Sequence, residues 1–113
     1  MDKPPPPIQV EQLSARDLKA WRDRQDSMTL VDVRTPGERQ VASIDGSRLL
    51  DQAFHDELMA MDRDTPLVFQ CHHGIRSQAA AEYFVRAGFH RVYNLSGGIE
   101  AWSKDVDPAV PRY

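Results

Sequence analysis

The sequence predicts a three-layer α/β domain, with a sheet of about five mainly parallel strands and helices on both faces. Short apolar segments alternate with helical patterns along the chain, as they do in βαβ units. The 113 residues are enough for one domain and too few for two, and no internal repeat interrupts the alternation. Four consecutive prolines, Pro4 to Pro7, mark residues 1–7 as a proline-rich leader, so we expect the domain to occupy residues 8–113.

The first expected strand and helix lie near the start of this domain. Residues 8–10 alternate apolar and polar side chains, as a short strand does. Ser14, with an acidic residue three positions later, resembles an N-terminal capping box and predicts a helix that runs to about Asp26. Residues 28–33 are a compact apolar segment, and we expect them to form a buried strand.

The next expected elements are shorter. Pro36 suits the first turn of a helix, because its missing N–H would have no partner there, and we expect this helix to end at Val41. Residues 43–50 combine a turn with a brief strand. Apolar residues at helical spacing then predict a helix over residues 54–61, and a polar turn follows at residues 62–66.

The clearest strand signal is Leu67–Gln70, which runs straight into Cys71. After a loop we expect an alanine-rich helix over residues 78–87, with Ser77 as its N-cap. Gly88 then ends this helix, at a position where a left-handed backbone is common.

The last expected elements are a strand at residues 92–95, a helix from Gly97 to Trp102 and an extended tail over residues 107–113. Strands that alternate with helices pair in parallel, which brings their carboxyl ends to one edge of the sheet. Ligands of such sheets bind at that edge. Candidate site residues are therefore those that directly follow a strand.

Composition and charge argue against several classes of protein. The net charge is −3 and there is no basic run, so the chain lacks the basic face that a nucleic-acid binder needs. A single cysteine cannot form an internal disulfide, which fits a reducing compartment. There is no signal-peptide pattern and no apolar run near the roughly 20 residues of a membrane span. We expect a cytoplasmic monomer that binds neither nucleic acid nor membrane.

Cys71 is the candidate nucleophile, because it follows the clearest strand and precedes a helix. The free N–H groups of such a turn, the helix dipole and the nearby Arg76 all favour thiolate over thiol, and they also form a cradle for an anion. A cysteine in this setting could attack phosphorus, arsenate or the outer sulfur of a thiosulfate-like donor. In the third case it would keep that sulfur as a persulfide.

The length of the loop favours sulfur chemistry. Four residues separate Cys71 from Arg76, one fewer than in the related phosphatase pattern. The shorter loop makes a narrower bowl, which suits a terminal sulfur better than a tetrahedral oxyanion. Gly74 would supply the bend that lets backbone amides converge. Ser77, besides capping the helix, could hydrogen-bond the sulfur.

Other polar residues near Cys71 are interpreted as structural or as loop lining. His72 and His73 are adjacent, and adjacent residues rarely reach one ion together, so we expect no metal and no cofactor. Asp32, Arg34 and Glu38 are expected to form a network of ion pairs and turns rather than to act in catalysis.

Three stretches together resemble one known family. The rhodanese loop pattern C-x-x-G-x-R-S fits residues 71–77 (CHHGIRS), and the upstream signature DVR-x-x-x-E resembles residues 30–38 (LVDVRTPGE). The pattern L-x-G-G-x-x-A-W resembles residues 94–102 (NLSGGIEAW). Their order and spacing identify the chain as a member of the single-domain rhodanese-like sulfurtransferases. One departure is visible at residues 42–47 (ASIDGS), where the family usually has G-H-I-P-G-A.

The resemblance implies a rhodanese-like domain and a two-step cycle, in which a donor charges Cys71 and an acceptor then takes the sulfur. It also implies that cationic loop residues favour thiosulfate over mercaptopyruvate as the donor. The substrate and persulfide would be bound by the rest of the loop: His72, His73, Gly74, Ile75, Arg76 and Ser77.

The expected function is therefore that of a thiosulfate sulfurtransferase. It would use a small sulfur donor such as thiosulfate and pass the sulfur to cyanide, a thiol or a protein acceptor. A sulfur carrier that relays persulfide between partner proteins uses the same chemistry and stays open as an alternative. A cysteine phosphatase or arsenate reductase is disfavoured by loop length, and a non-catalytic interaction module is disfavoured by the presence of Cys71.

Overall fold

A computed structural model describes residues 9–113, so the expected proline-rich leader lies outside the described residues. Five strands and five helices alternate along this part of the chain. Their order is β1 (Glu11–Leu13), α1 (Ala15–Asp23), β2 (Thr29–Asp32), α2 (Pro36–Val41), β3 (Arg48–Leu49), α3 (Gln52–Met59), β4 (Leu67–Gln70), α4 (Ile75–Arg86), β5 (Val92–Leu95) and α5 (Gly98–Asp105). None of these helices is long and apolar enough to cross a membrane.

The strands form one sheet in the order β1-β5-β4-β2-β3, and every pair is parallel. β4 lies at the centre, and all four of its residues are buried. A central parallel strand is covered on both faces, which explains why Leu67 to Phe69 are uninterrupted apolar residues. The predicted α/β fold with a five-stranded parallel sheet is confirmed.

Two apolar clusters cover the two faces of the sheet. Val68 of β4 packs in one cluster with Leu18 of α1 and Ile99 of α5. The next residue, Phe69, faces the other cluster and stacks on Phe84 of α4 with ring centroids 5.2 Å apart. Because β4 is packed on both faces, the backbone that leads into Cys71 has little freedom to move.

The first predicted strand and helix need correction. β1 begins at Glu11, later than the predicted residues 8–10, because pairing with β5 places Leu13 beside Leu95 in the same apolar cluster. α1 does start after the Ser14 cap, whose hydroxyl oxygen accepts the N–H of Asp17. It ends before Asp26, however, because Gln25 adopts a left-handed backbone with φ of 59°.

Further boundaries differ from the prediction, among them α3, which covers Gln52–Met59 rather than residues 54–61. α4 begins at Ile75, because the left-handed Gly74 (φ 100°) already turns the chain into the helix, so Ser77 is not the N-cap. α5 continues past Trp102 to Asp105. The tail is not extended throughout, since residues 107–110 form a turn closed by a hydrogen bond from the Val110 N–H to the Asp107 carbonyl.

A buried ion cluster lies at the carboxyl end of β2. Asp32 is fully buried and binds Arg34 at 2.8 Å and Arg39 at 2.9 Å. Burial alone would raise the pKa of Asp32, but hydrogen bonds from Arg34 and Arg39 outweigh this effect and hold the pKa below its ordinary value. Asp32 and Arg34 therefore form the expected ion pair, whereas the Glu38 carboxylate binds elsewhere.

We expect Asp32→Asn to destabilise the fold by about 3–5 kcal/mol at pH 7, because two guanidinium groups lose their buried anion. Since the pKa of Asp32 is lowered by folding, its contribution is fully present above the unfolded value near 3.8 and is lost as the pH falls through the folded value. Urea unfolding of both proteins at pH 7 and in acid measures this difference.

The control is Asp26→Asn, whose exposed pair with Arg24 should contribute less than about 1 kcal/mol. Equal stability of Asp32→Asn and the wild type at pH 7 would contradict the assignment of the cluster to structure.

Candidate active site

Cys71 directly follows β4 and is 1% exposed. Its Sγ accepts the backbone N–H of Gly74 at 3.1 Å and that of Ser77 at 3.4 Å. The Ser77 hydroxyl lies 3.3 Å from the same sulfur. The loop thus bends around the sulfur, with backbone donors directed inward.

These donors change the acidity of the cysteine. Burial by itself would raise the pKa of the Cys71 thiol, because a thiolate is poorly solvated inside a protein. The Ser77 hydroxyl and the N–H groups of Ser77, Gly74 and His73 outweigh burial, so the pKa lies below its ordinary value. The lowered pKa favours the thiolate, which is the nucleophilic form.

The first turn of α5 holds the other side of this loop. The N–H of Ile99 donates to the Cys71 carbonyl at 2.8 Å, and the N–H of Glu100 donates to the His72 carbonyl at 3.1 Å. Gly98 makes this approach possible, because a Cβ at that position would lie 2.3 Å from the Cys71 carbonyl oxygen. The predicted glycine pair at the start of this helix is therefore part of the active-site wall.

Asn94 of β5 holds the loop through hydrogen bonds to two of its residues. No role was predicted for this residue from the sequence. Its Nδ2 donates to the Gly74 carbonyl at 3.1 Å and to Gln12 Oε1 at 3.0 Å. Its Oδ1 accepts the Ser77 hydroxyl at 2.5 Å. A signal for such a role does exist in the sequence, because Asn94 is a polar residue in a buried strand and its amide needs hydrogen-bond partners inside the protein.

Arg76 lies at the far end of the loop and is bound by Glu38 of α2. Its Nη1 and Nη2 donate to the two carboxylate oxygens at 2.7 and 2.9 Å. Through this contact the pKa of Glu38 falls and that of Arg76 rises, so both stay charged. The capping box that Thr35 and Glu38 form at the start of α2 fixes the position of the Glu38 carboxylate. The expected cation is present, and Glu38 neutralises its charge.

The remaining loop residues do not contact the sulfur. We call the side chains of His72, His73 and Arg76 the rim of the candidate site. His72 and His73 stack with centroids 3.9 Å apart and planes at 25°, and Ile75 is 80% exposed. His72, His73 and Glu100 bring ligand-type atoms within 4.8 Å of one another. A metal lies in the plane of each imidazole that binds it, and two stacked planes share no point near both rings, so this arrangement does not fit an ion.

Tyr113 also reaches the rim, although the sequence gave no signal for it. Its ring stacks on His72 with centroids 3.9 Å apart and planes at 10°. Its hydroxyl donates to Glu38 Oε2 at 2.6 Å and accepts from Arg34 Nη1 at 2.9 Å. Among the residues predicted for the site, Gly74 and Ser77 contact the Cys71 sulfur. Arg76, in contrast, is paired with Glu38, and Ile75 faces solvent.

The chain is similar in sequence to proteins of known family. A sequence model of the Rhodanese-like domain matches residues 14–105. The protein named thiosulfate sulfurtransferase GlpE of Pseudomonas aeruginosa (strain LESB58) is 45% identical over 87 residues, which are 76% of this chain and 78% of that protein. A probable adenylyltransferase/sulfurtransferase, MoeZ of Mycobacterium tuberculosis, is 33% identical over 104 residues, which are 89% of this chain and 26% of that protein.

A solved structure has the same fold. The rhodanese-related protein from Thermoplasma volcanium superposes with a TM-score of 0.72 and 28% identity, covering 92% of this chain and 100% of that one. The family match extends over four-fifths of the chain and includes β2, the loop around Cys71 and α5. On this match, and on the relatives that share most of its length, the chain belongs to the rhodanese-like domain family.

Proposed function

We propose that this protein is a sulfurtransferase that moves sulfane sulfur from thiosulfate, or a similar donor, to a nucleophilic acceptor through a persulfide on Cys71. The observation that carries the proposal is the convergence of the Gly74 and Ser77 N–H groups on Sγ, at 3.1 and 3.4 Å. The sulfurtransferase names of the relatives from Pseudomonas and Mycobacterium support the same chemistry.

In the first step, the Cys71 thiolate attacks the outer sulfur of thiosulfate. A new S–S bond forms at Sγ, the S–S bond of the donor breaks, and sulfite leaves with the electron pair. The persulfide carries one negative charge on its terminal sulfur, in place of the charge on the thiolate. N–H groups that stabilise the thiolate are therefore available to stabilise the product as well.

In the second step, cyanide or a thiolate attacks the terminal sulfur of the persulfide, and the Cys71 thiolate is the leaving group. A cysteine of lowered pKa leaves more readily, so the same hydrogen bonds that favour attack also favour release. We assign donor binding to Arg76 and His72 at the rim, and persulfide binding to Gly74 and Ser77. No cofactor or metal is needed for either step.

The phosphatase alternative is disfavoured by two features of the loop. Phosphoryl transfer requires donors around three equatorial oxygens and a cation directed at them. Here the Gly74 and Ser77 N–H groups point at the sulfur itself, at 3.1 and 3.4 Å, and the loop has four residues between Cys71 and Arg76, one fewer than the phosphatase pattern. Arsenate reduction would place a similar oxyanion in the same space.

A sulfur-carrier role is the second candidate function. Ile75 is an apolar side chain in the active-site loop, yet it is 80% exposed. An exposed apolar residue beside the nucleophile suits contact with a partner protein that delivers or accepts sulfur. Faster loading from a persulfidated protein than from thiosulfate would favour this role.

We further propose that the protein acts as a cytoplasmic monomer. The single cysteine must stay reduced to act, which fits a reducing compartment. The hydrogen bonds that Gly74 and Ser77 make to the Cys71 sulfur form within one chain, which is compatible with a monomer.

Incubation with thiosulfate should add one sulfur, about 32 mass units, to the protein, because thiolate attack leaves a covalent intermediate. Intact-mass measurement before and after addition of cyanide follows both steps, and cyanide should remove the adduct. Cys71→Ser is the control and should stay at its original mass. An unmodified wild type, shown to be folded and reduced, would remove the sulfurtransferase proposal.

Arg76→Ala should raise KM for thiosulfate by about tenfold, the equivalent of one charge-assisted hydrogen bond. It removes a cation and also exposes the Glu38 carboxylate to an anionic donor. The double variant Arg76→Ala/Glu38→Gln should therefore recover part of the loss, while Gln keeps the capping interaction. Steady-state kinetics measure both effects.

Arg86→Ala, at an exposed position in the last turn of α4, is the matched control for Arg76→Ala. An unchanged KM in Arg76→Ala would assign this arginine to structure alone.

Gly98→Ala should lose persulfide formation, because its Cβ would collide with the Cys71 and His72 carbonyls and push the loop away from α5. Its φ of 61° adds backbone strain of about 1–3 kcal/mol. Gly37→Ala is the control, since the nearest atom to a Cβ there is Thr35 Oγ1 at 4.0 Å. Intact mass after thiosulfate and urea unfolding test the pair; normal loading of Gly98→Ala would contradict the role given to α5.

A further inference from the structure

Tyr113 contacts both ends of the active-site loop. At the start of the loop its ring lies flat against His72, the residue after the nucleophile. At the far end its hydroxyl donates to Glu38 Oε2, the oxygen that also accepts Arg76 Nη2. The Tyr113 side chain therefore contacts His72 through its ring and, through Glu38, is linked to Arg76.

The segment that carries Tyr113 is fixed to the domain. Val110 is buried in the cluster that contains Ile99, and its carbonyl accepts the Ser103 hydroxyl at 2.5 Å. Arg112 forms an ion pair with Glu100, with Nε at 2.8 Å from the carboxylate. These contacts hold Tyr113 at the rim, and the segment lies beyond residues 14–105, the part that matches the family.

The rim is where the leaving group of a donor must pass. Attack at sulfur requires the nucleophile, the attacked sulfur and the leaving group to lie in line. The Gly74 and Ser77 N–H groups occupy the inner side of Sγ, so a donor approaches from the outside with its leaving group pointing away from the loop. Since the Tyr113 ring lies on His72 and its hydroxyl shares Glu38 with Arg76, we expect the leaving group to pass these three side chains.

We propose that Tyr113 is a specificity-determining residue, which restricts the site to donors with a small leaving group, such as inorganic thiosulfate, and disfavours thiosulfonates that carry an aromatic ring. The inference rests on the sulfurtransferase function proposed above. To admit a bulky leaving group, the protein has to unstack Tyr113 from His72 and break its hydrogen bond to Glu38. A small sulfite group needs neither change.

The two parts of the side chain act differently. The ring forms the wall, because it lies parallel to His72 and continues the stack of His72 on His73. The hydroxyl shares Glu38 with Arg76 and so helps to hold the carboxylate that binds the loop cation. Tyr113→Ala removes both parts, whereas Tyr113→Phe removes the hydroxyl alone.

The test compares kcat/KM for two donors, thiosulfate and benzenethiosulfonate, with cyanide as the acceptor. In both reactions the Cys71 thiolate takes the terminal sulfur, and sulfite or benzenesulfinate leaves with the electron pair. Tyr113→Ala should shift the ratio of the two kcat/KM values toward benzenethiosulfonate by about tenfold, as expected for removal of one steric contact worth ~1.4 kcal/mol. Tyr113→Phe should keep the wild-type ratio, because the ring remains.

Tyr83→Ala is the matched control. Tyr83 is similarly exposed, 44% against 39% for Tyr113, and its hydroxyl binds His55 on α3. Its loss should leave the ratio unchanged. A ratio of two donors is insensitive to a general loss of folded enzyme, since both reactions use the same cysteine.

The outcomes separate the two proposals. If the wild type transfers sulfur and Tyr113→Ala keeps its donor ratio, Tyr113 is not a specificity residue, and the proposed function stands. If the wild type transfers sulfur from neither donor, the proposed function itself fails. A shift in Tyr113→Ala that is absent from Tyr113→Phe and Tyr83→Ala assigns specificity to the Tyr113 ring.

Discussion

Backbone amides can converge on one sulfur only when the carbonyls of the same loop are bound on the other side. In this protein α5 meets that requirement, because the N–H groups of Ile99 and Glu100 in its first turn donate to the Cys71 and His72 carbonyls. The unpaired donors of one helix thus orient the peptide groups that stabilise the thiolate. The contact is so close that only glycine fits at position 98. The position of Cys71, the direction of the loop and the lowered pKa of the thiol all depend on this contact.

Charge is arranged around the loop in two layers. The inner layer is the buried pair of Asp32 and Arg34, which fixes the turn after β2. The outer layer is the Glu38 and Arg76 pair, which joins α2 to the loop. Arg34 connects the two layers, since its Nη1 donates to the hydroxyl of Tyr113, which in turn donates to Glu38. A donor anion bound as proposed above would therefore meet an arginine whose charge is already compensated by Glu38.

Local sequence patterns predicted the helices and strands, but they could not predict contacts between residues that are far apart in the sequence. Leu67–Gln70 was correct to the residue, because a central parallel strand buries both faces and leaves a continuous apolar run. Ser77 was assigned as a cap, because the left-handed turn at Gly74 that starts α4 three residues earlier leaves no distinctive composition. The pairing of Glu38 with Arg76 spans 38 residues, and that of Tyr113 with Glu38 spans 75. Neither has a periodic signal, so the loop residues could be found from the sequence, whereas the contacts that Glu38 and Tyr113 make with them could not.

The proton of Ser77 links the sulfur to the interior of the sheet. A serine hydroxyl has one hydrogen, and here it faces two acceptors: Asn94 Oδ1 at 2.5 Å and Cys71 Sγ at 3.3 Å. Asn94 cannot turn to offer a donor instead, because its Nδ2 already serves Gln12 and the Gly74 carbonyl. While the cysteine is a thiol, its S–H can donate to the Ser77 oxygen, and the Ser77 hydroxyl donates its own hydrogen to Asn94 Oδ1. Once the thiolate forms, that S–H donor is gone, and the Ser77 hydroxyl can turn its hydrogen to the sulfur, which also accepts the fixed N–H groups of Gly74 and Ser77. The two amides therefore stabilise the charge on the sulfur in either arrangement, and the Ser77 hydroxyl donates to Asn94 or to Cys71 according to the charge state of the cysteine.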